Sequence, residues 1–209
     1  RFGQKKKPII LSTGMSSIGE VEKAYYTLIE SGAPSVTILH CTSNYPAPLD
    51  SINLKAMNTL AKVFNAEVGY SDHTEGVEVS VAAVALGAKV IEKHYTIDKS
   101  LPGPDHKASL DPIELKTLVD QIRNVERAIA GSGTKQLHSS EIETKKVVQK
   151  GIYLTKDIAL GEIITDDCLI MKRPVTYLNA SDYDLVIGKK ASKAIKKGAA
   201  LNLIDLSFE

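Results

Sequence analysis

Apolar and polar positions alternate in blocks along the first 130 residues: a short apolar run ends in small polar residues, and a longer stretch with helical spacing follows. "KPIILSTG" is the first such run. In the following "SIGEVEKAYYTLIESGAP", Val21, Ala24, Tyr25 and Leu28 recur at helical intervals until Gly32 and Pro34 stop the helix. "SVTILHCTSNYP" leads into "SINLKAMNTLAKVF", and "AEVGYSDHT" into "GVEVSVAAVALGA". "KVIEKHYTID" leads through a loop into "SLDPIELKTLVDQIRNVERAIAG", where Asp111 before Pro112 supplies a cap and first turn. The pattern predicts four βα units of about 30 residues each, with near-continuous apolar strands of the kind a parallel sheet buries on both faces. In such sheets functional groups collect where strands run into helices. "STGM", "HCTSNYP", "YSDHT" and "EKHYT" all fall there, so the four clusters are expected on one rim.

The pattern changes after Gly131. "GSGTKQLHSSEIETKK" is polar throughout and reads as a linker over 131–146. From Val147 onward short strand-like runs alternate with turn signals, and "DIALGEIIT" and "AIKKGAALN" share one arrangement of apolar, charged, glycine and apolar residues. A small, internally repetitive β domain is expected over 147–209. At about 60 residues it sits near the lower limit for folding alone and would lean on a partner.

Composition narrows the function classes. The 209 residues are 43% hydrophobic and 24% charged, with a formal net charge of +1. This is ordinary globular composition, and it gives no reason to expect nucleic acid or an anionic membrane as a partner. The basic start "RFGQKKKP" reads as a solvated lead-in. No apolar run reaches the roughly 20 residues of a membrane span, and no signal-peptide pattern is visible, so a cytoplasmic protein is expected. Cys41 and Cys168 read as reduced thiols and are too few for a thiolate zinc site.

The chemistry-bearing residues then gain a context. His73 and His94 close two successive strands, and a pair of neutral imidazoles with carboxylates nearby is a plausible open site for manganese, iron or zinc. Glu92 precedes His94 by two residues and so shares its face, while alternation turns Lys93 away. Asp72 is either a second nearby carboxylate or a loop hydrogen-bond acceptor. The hydroxyls of Ser12, Thr13, Ser43 and Ser71 could hold phosphate together with N–H groups at helix starts, or could simply cap. Two prolines and a glycine in "SLPGPDH" either hold Asp105 over the rim or make a rigid structural loop. A metal-dependent aldolase or hydrolase would need a Schiff-base lysine or a fuller metal shell, and neither stands on the rim.

The pieces "PIILSTGM", "HCTSNYPAP", "GYSDHT", "IEKHYT", "PGPDH" and "KRP", in this order, resemble the sialic acid synthase family: N-acetylneuraminate synthases and their legionaminic and pseudaminic acid relatives. The stretch from Val147 is similar to the antifreeze-like (SAF) domain that closes those enzymes. The resemblance implies an α/β fold, with the C-terminal half of a (β/α)8 TIM barrel over 1–130 followed by a β-rich SAF domain of β-clip type. It implies metal-dependent condensation of phosphoenolpyruvate with an N-acylamino-hexose such as N-acetylmannosamine, with release of phosphate. His73 and His94 would be the metal ligands, with Mn2+ the expected ion and Mg2+ or Co2+ the other options. Ser12 and Ser71 match positions that bind the phosphate. Ser43 and Tyr45 match positions lining the sugar site, and Glu92 and Asp105 match the acidic residues there that take part in catalysis. Arg173 matches an arginine that reaches the partner subunit's site and contacts the acylamino group, which makes a domain-swapped homodimer the expected assembly.

Two departures shape these expectations. The chain supplies four of the family's eight strands, so it reads as a fragment that lacks the upstream half-barrel and alone is inactive or only complements the missing half. "KRPVTYLNASD" also lacks the glycines that usually follow "KRP", and Val175 cannot take the backbone conformations glycine allows. The sugar stays open between N-acetylmannosamine, its 6-phosphate and a diacylated bacillosamine-type hexose. The alternative function is a non-catalytic carbohydrate-binding or assembly module that keeps the fold, a spore-coat polysaccharide relative included.

Overall fold

The structure is a computed structural model that describes residues 1–208; Glu209, the last residue of the second domain as read, lies outside the described residues. The chain divides into two compact units, the first Arg1–Ser132 and the second beginning at Gly133.

In the first unit the four βα units form in order: β1 (Ile9–Ser12), α1 (Ile18–Glu30), β2 (Val36–Cys41), α2 (Lys55–Phe64), β3 (Val68–Asp72), α3 (Glu78–Ala85), β4 (Ile91–Lys93) and α4 (Pro112–Ile129). The strands make one parallel sheet in the order β1-β2-β3-β4. Register places Ser12 beside Leu39, Cys41 beside Ser71, and Ser71 beside Glu92. The period of two then sorts the side chains. Ile38, Val68 and Tyr70 turn to the helices and pack with Val21, Met57, Leu60, Phe64 and Ala83 into the core. Cys41, Ser71 and Glu92 turn to the opposite face.

The sheet departs from the expected burial on both faces most at its outer strands, with two half-buried positions in β2. β3 is buried at every position, whereas burial alternates along β1 and β4, and Ile10 is 56% exposed. Helix ends follow the local signals. The Asp111 carboxylate accepts from the N–H groups of Ile113 and Glu114, both at 2.8 Å, with Pro112 in the first turn. Gly32 ends α1 at φ +103°, a left-handed conformation that glycine adopts without steric cost.

In the second unit, the stretch read as a polar linker contains a short helix, α5 (Ile142–Val148), whose apolar Ile142, Val147 and Val148 are all exposed. β5 (Gly151–Leu154) pairs antiparallel with β6 (Leu169–Lys172), a short helix α6 (Tyr183–Val186) follows, and β7 (Lys190–Ala191) pairs antiparallel with β8 (Leu206–Ser207). The repeat seen in the sequence becomes a structural one. Ile158 and Ile195, equivalent in the two phrases, exchange backbone hydrogen bonds of 2.9 and 2.8 Å. The glycines that follow, Gly161 and Gly198, both have positive φ, 79° and 83°. Each phrase then enters a 3-10 turn whose last residue, Cys168 in one and Asp205 in the other, accepts from the backbone N–H of its cap residue, Thr165 or Asn202. Ile152, Leu154, Ile158, Ile164, Val186 and Leu201 give this unit a core of its own. No helix among the described residues is long and apolar enough to cross a membrane.

Candidate functional site

His73 is the first residue past β3 and His94 the first past β4, so both imidazoles stand at the carboxyl edge of the sheet. Their ring centroids lie 5.2 Å apart with the rings at 76°. His73 Nδ1 is 2.9 Å from the Thr42 carbonyl oxygen. A carbonyl can only accept, so Nδ1 carries a proton and donates it, and in the neutral ring Nε2 is the nitrogen with the lone pair. A backbone carbonyl that fixes the tautomer in this way is a common support for a metal-binding histidine. The Ala47 N–H donates to the His73 carbonyl at 2.9 Å and ties the loop after β2 to the loop after β3. That tie seats the Tyr45 ring 4.2 Å from His73 and 5.5 Å from His94. On the other side the Leu110 N–H donates to the His94 carbonyl at 2.9 Å. In the loop between β4 and α4, Asp105 Oδ2 comes to 3.9 Å from His94 Nδ1.

The hydroxyls divide into those in reach of this cluster and those engaged elsewhere. Ser71 Oγ donates to Glu92 Oε1 at 2.7 Å across β3 and β4. Cys41 Sγ lies 3.7 Å from His73 Nδ1 and 3.9 Å from Ser43 Oγ, which places Ser43 beside the cluster. Ser43 also rests against Gly14: a Cβ at Gly14 would stand 2.0 Å from Ser43 Oγ. Ser12 is exposed on the same face of the sheet, at the end of β1, set apart by the register that pairs it with Leu39. Thr13 is buried, and its hydroxyl donates to the Leu39 carbonyl at 2.8 Å, which makes it a brace between strands rather than a phosphate donor.

Arg173 belongs to the second unit, where it is exposed and donates from Nε to the Val148 carbonyl at 2.6 Å. Val175 is not among the non-glycine residues with positive φ, so its position makes no special demand for glycine. The tight position in the local packing is Gly151, where an added Cβ would lie 3.1 Å from Val175 Cα.

Of the two readings of Asp72, the structure bears out the hydrogen-bond acceptor and not the carboxylate beside the histidines. Alternation turns it to the opposite face, where it is 1% exposed and forms an ion pair with Lys93 at 2.9 Å. Its Oδ1 accepts from the Thr74 N–H and hydroxyl, and its Oδ2 from Ser80 Oγ. Deeper on that face the Tyr70 hydroxyl has no partner among the described residues, and burial, with smaller effects of Asp72 and Cys41, pushes the phenol well above its ordinary pKa.

The donor set limits what could bind. Among the described residues no three His, Cys, Asp or Glu side chains are gathered closely enough to hold an ion by themselves. Two imidazoles with an exposed carboxylate at the edge suit a divalent ion whose remaining positions go to water and substrate, the arrangement Lewis-acid catalysis needs. Beside the cluster, a cavity of about 680 Å³ opens at the first turns of α1 and α2, lined in part by Ser16, His40, Ser43, Lys55 and Thr59.

A model of the NeuB family matches residues 1–135 and a model of the SAF domain matches residues 149–206. The chain is 48% identical over 199 residues to the N,N'-diacetyllegionaminic acid synthase of Campylobacter jejuni, an alignment covering 94% of this chain and 59% of that protein. To the N,N'-diacetyllegionaminic acid synthase of Legionella pneumophila it is 45% identical over 203 residues, covering 94% and 56%. Among solved structures, the spore coat polysaccharide biosynthesis protein spsE of Bacillus subtilis aligns with a TM-score of 0.59 at 34% identity, over 99% of this chain and 63% of that one. The chain thus spans less than two thirds of the length of the relatives it matches.

Proposed function

Because the chain belongs to the NeuB family, we propose that it is part of a nonulosonic acid synthase that condenses phosphoenolpyruvate with an N-acylamino-hexose and releases phosphate. The observation that carries this reading is the rim pair itself: His73 and His94, rings 5.2 Å apart, with His73 Nδ1 committed to a carbonyl and its Nε2 available. In this reading the two imidazoles hold a divalent ion, Mn2+ first and Mg2+ or Co2+ as alternatives. The ion supplies Lewis acidity toward the carbonyl oxygen of the open-chain sugar.

The remaining roles fall to the chain's own side chains. Ser71 turns its hydroxyl from Glu92 to a phosphate oxygen, and Ser12, exposed on the same face, provides a second hydroxyl for it. Glu92, freed of that hydrogen bond, is placed to exchange a proton with the reacting sugar. Tyr45 packs along both imidazoles and orients the sugar over them. Asp105 and Ser43 accept from and donate to sugar hydroxyls at the two sides of the cluster. Arg173 is assigned to the acylamino group in the site of a partner subunit, so the assembly proposed is a domain-swapped homodimer. The strands that complete a TIM barrel are assigned to the part of the relatives' length that this chain does not span.

The names of the two synthases favour a sugar with two acylamino groups over N-acetylmannosamine or its 6-phosphate. The test is phosphate release from phosphoenolpyruvate by the longer reading frame that contains this chain, with each of the three sugars offered in turn. Release that depends on the diacetamido-hexose is the expected result. Release with none of them, from protein shown to be folded and loaded with Mn2+, leaves a carbohydrate-binding module as the better account.

A further inference from the structure

We infer that Lys93 is a positioning residue, whose buried ion pair with Asp72 sets the separation of His73 and His94 from the opposite face of the sheet. The inference rests on the proposed reading of the two histidines as metal ligands. Asp72 beside Lys93 is the last paired position of β3 and β4 in the ladder. Each histidine is the next residue along its strand, so the ladder itself no longer fixes how far apart the two imidazoles stand.

The ion pair takes over at that point. Lys93 Nζ lies 2.9 Å from Asp72 Oδ2 and donates to the Thr74 carbonyl at 2.6 Å. Asp72 Oδ1 accepts from the Thr74 N–H at 2.8 Å and its hydroxyl at 2.7 Å, and Ser80 Oγ of α3 donates to Oδ2 at 2.6 Å. The residues on both sides of His73 are therefore tied to the residue before His94, and the tie is anchored to a helix. The two side chains are 4% and 0% exposed, so water does not compete for these bonds. A buried ion pair can often be replaced by neutral groups of similar size with little change in stability. Its contribution here is geometric: it fixes one arrangement of two loop starts that could otherwise drift relative to each other.

The test uses the longer reading frame, with Asp72→Asn/Lys93→Gln as the neutral replacement and Ser80→Ala as a milder variant that leaves the ion pair in place. Two readouts are taken: the imidazole nitrogen shifts of histidine-labelled, metal-free protein, and the Mn2+ dissociation constant from the spin-resonance signal of free ion. The double variant is expected to move the His73 and His94 signals together while His138 stays put, and to weaken Mn2+ binding about tenfold, the lower end for loss of a supporting interaction. Ser80→Ala is expected to move the same two signals by less. A folded double variant with both signals and the Mn2+ affinity unchanged overturns the inference, even if its stability falls. If the wild-type protein binds no Mn2+ but the two signals still move together, the positioning role stands and the metal reading fails.

Discussion

His73 offers one nitrogen to the rim because the Thr42 carbonyl occupies the other, and the side chains around it are held by similarly short contacts. Gly14 lies against Ser43 beside this cluster. A methyl group there would meet Ser43 Oγ at 2.0 Å and Cys41 Sγ at 3.2 Å, and the serine hydroxyl is the atom free to swing away. Gly14→Ala is therefore expected to raise KM for the sugar several-fold while the urea midpoint stays close to that of the wild type, as steady-state kinetics and unfolding on the same preparation would show. Gly69 is a harder case, because its Cβ would stand 2.3 Å from the Val90 carbonyl, a backbone atom that cannot rotate out of the way. Gly69→Ala should cost about 1–3 kcal/mol, the usual range for overpacking, measured as a drop in the urea midpoint at constant slope.

At the scale of elements, α4 shows what a local signal can specify. The Asp111–Pro112 start was legible because a cap depends on residues within one turn, and the carboxylate accepts from both expected N–H groups. Asp111→Ala is expected to destabilise the first unit by about 1 kcal/mol in chemical unfolding. Glu114 returns the cap to the Asp111 N–H and also accepts from Lys99; the Lys99 hydrogen bond, then the backbone one, hold its carboxyl below the ordinary 4.5. A depressed carboxyl contributes stability above its unfolded-state pKa and loses it as pH falls through the folded-state value. The gap in unfolding midpoint between wild type and Glu114→Gln should therefore be full near neutrality and close as pH drops below 4.5; a gap independent of pH would contradict the assignment.

The four βα units were also legible, because blocks of apolar and helical spacing are local patterns. So was the shared face of Glu92 and His94, which needs only the period of two. The Asp72–Lys93 pair was not: the period of two turns each residue away from its neighbouring histidine, but only the register between β3 and β4 brings the two together. The helix Ile142–Val148 was missed for a related reason: its few apolar residues are exposed and make no periodic stripe.

For the whole molecule, the sheet's two outer strands bear on the proposed barrel. β1 and β4 flank the parallel sheet, burial alternates along both, and the chain covers 59% of the Campylobacter synthase and 56% of the Legionella one. In the proposed barrel, strands added beside them would cover the open face of the sheet, on which Ser12 and Ser71 stand. The present 209 residues alone are accordingly expected to release no phosphate from phosphoenolpyruvate, while the longer reading frame does, with both assayed at equal folded concentration. Equal activity of the two would remove the need for a completed barrel.

Whether His73 and His94 hold a catalytic ion is read by an Mn2+ titration of phosphate release in the longer reading frame, comparing the wild type with His73→Ala and His94→Ala. Saturable activation by Mn2+ is expected in the wild type, with a loss of at least about a hundredfold in each variant, as when a first ligand rather than its support is removed. Undiminished release from either folded variant, or release indifferent to chelation, would contradict that role.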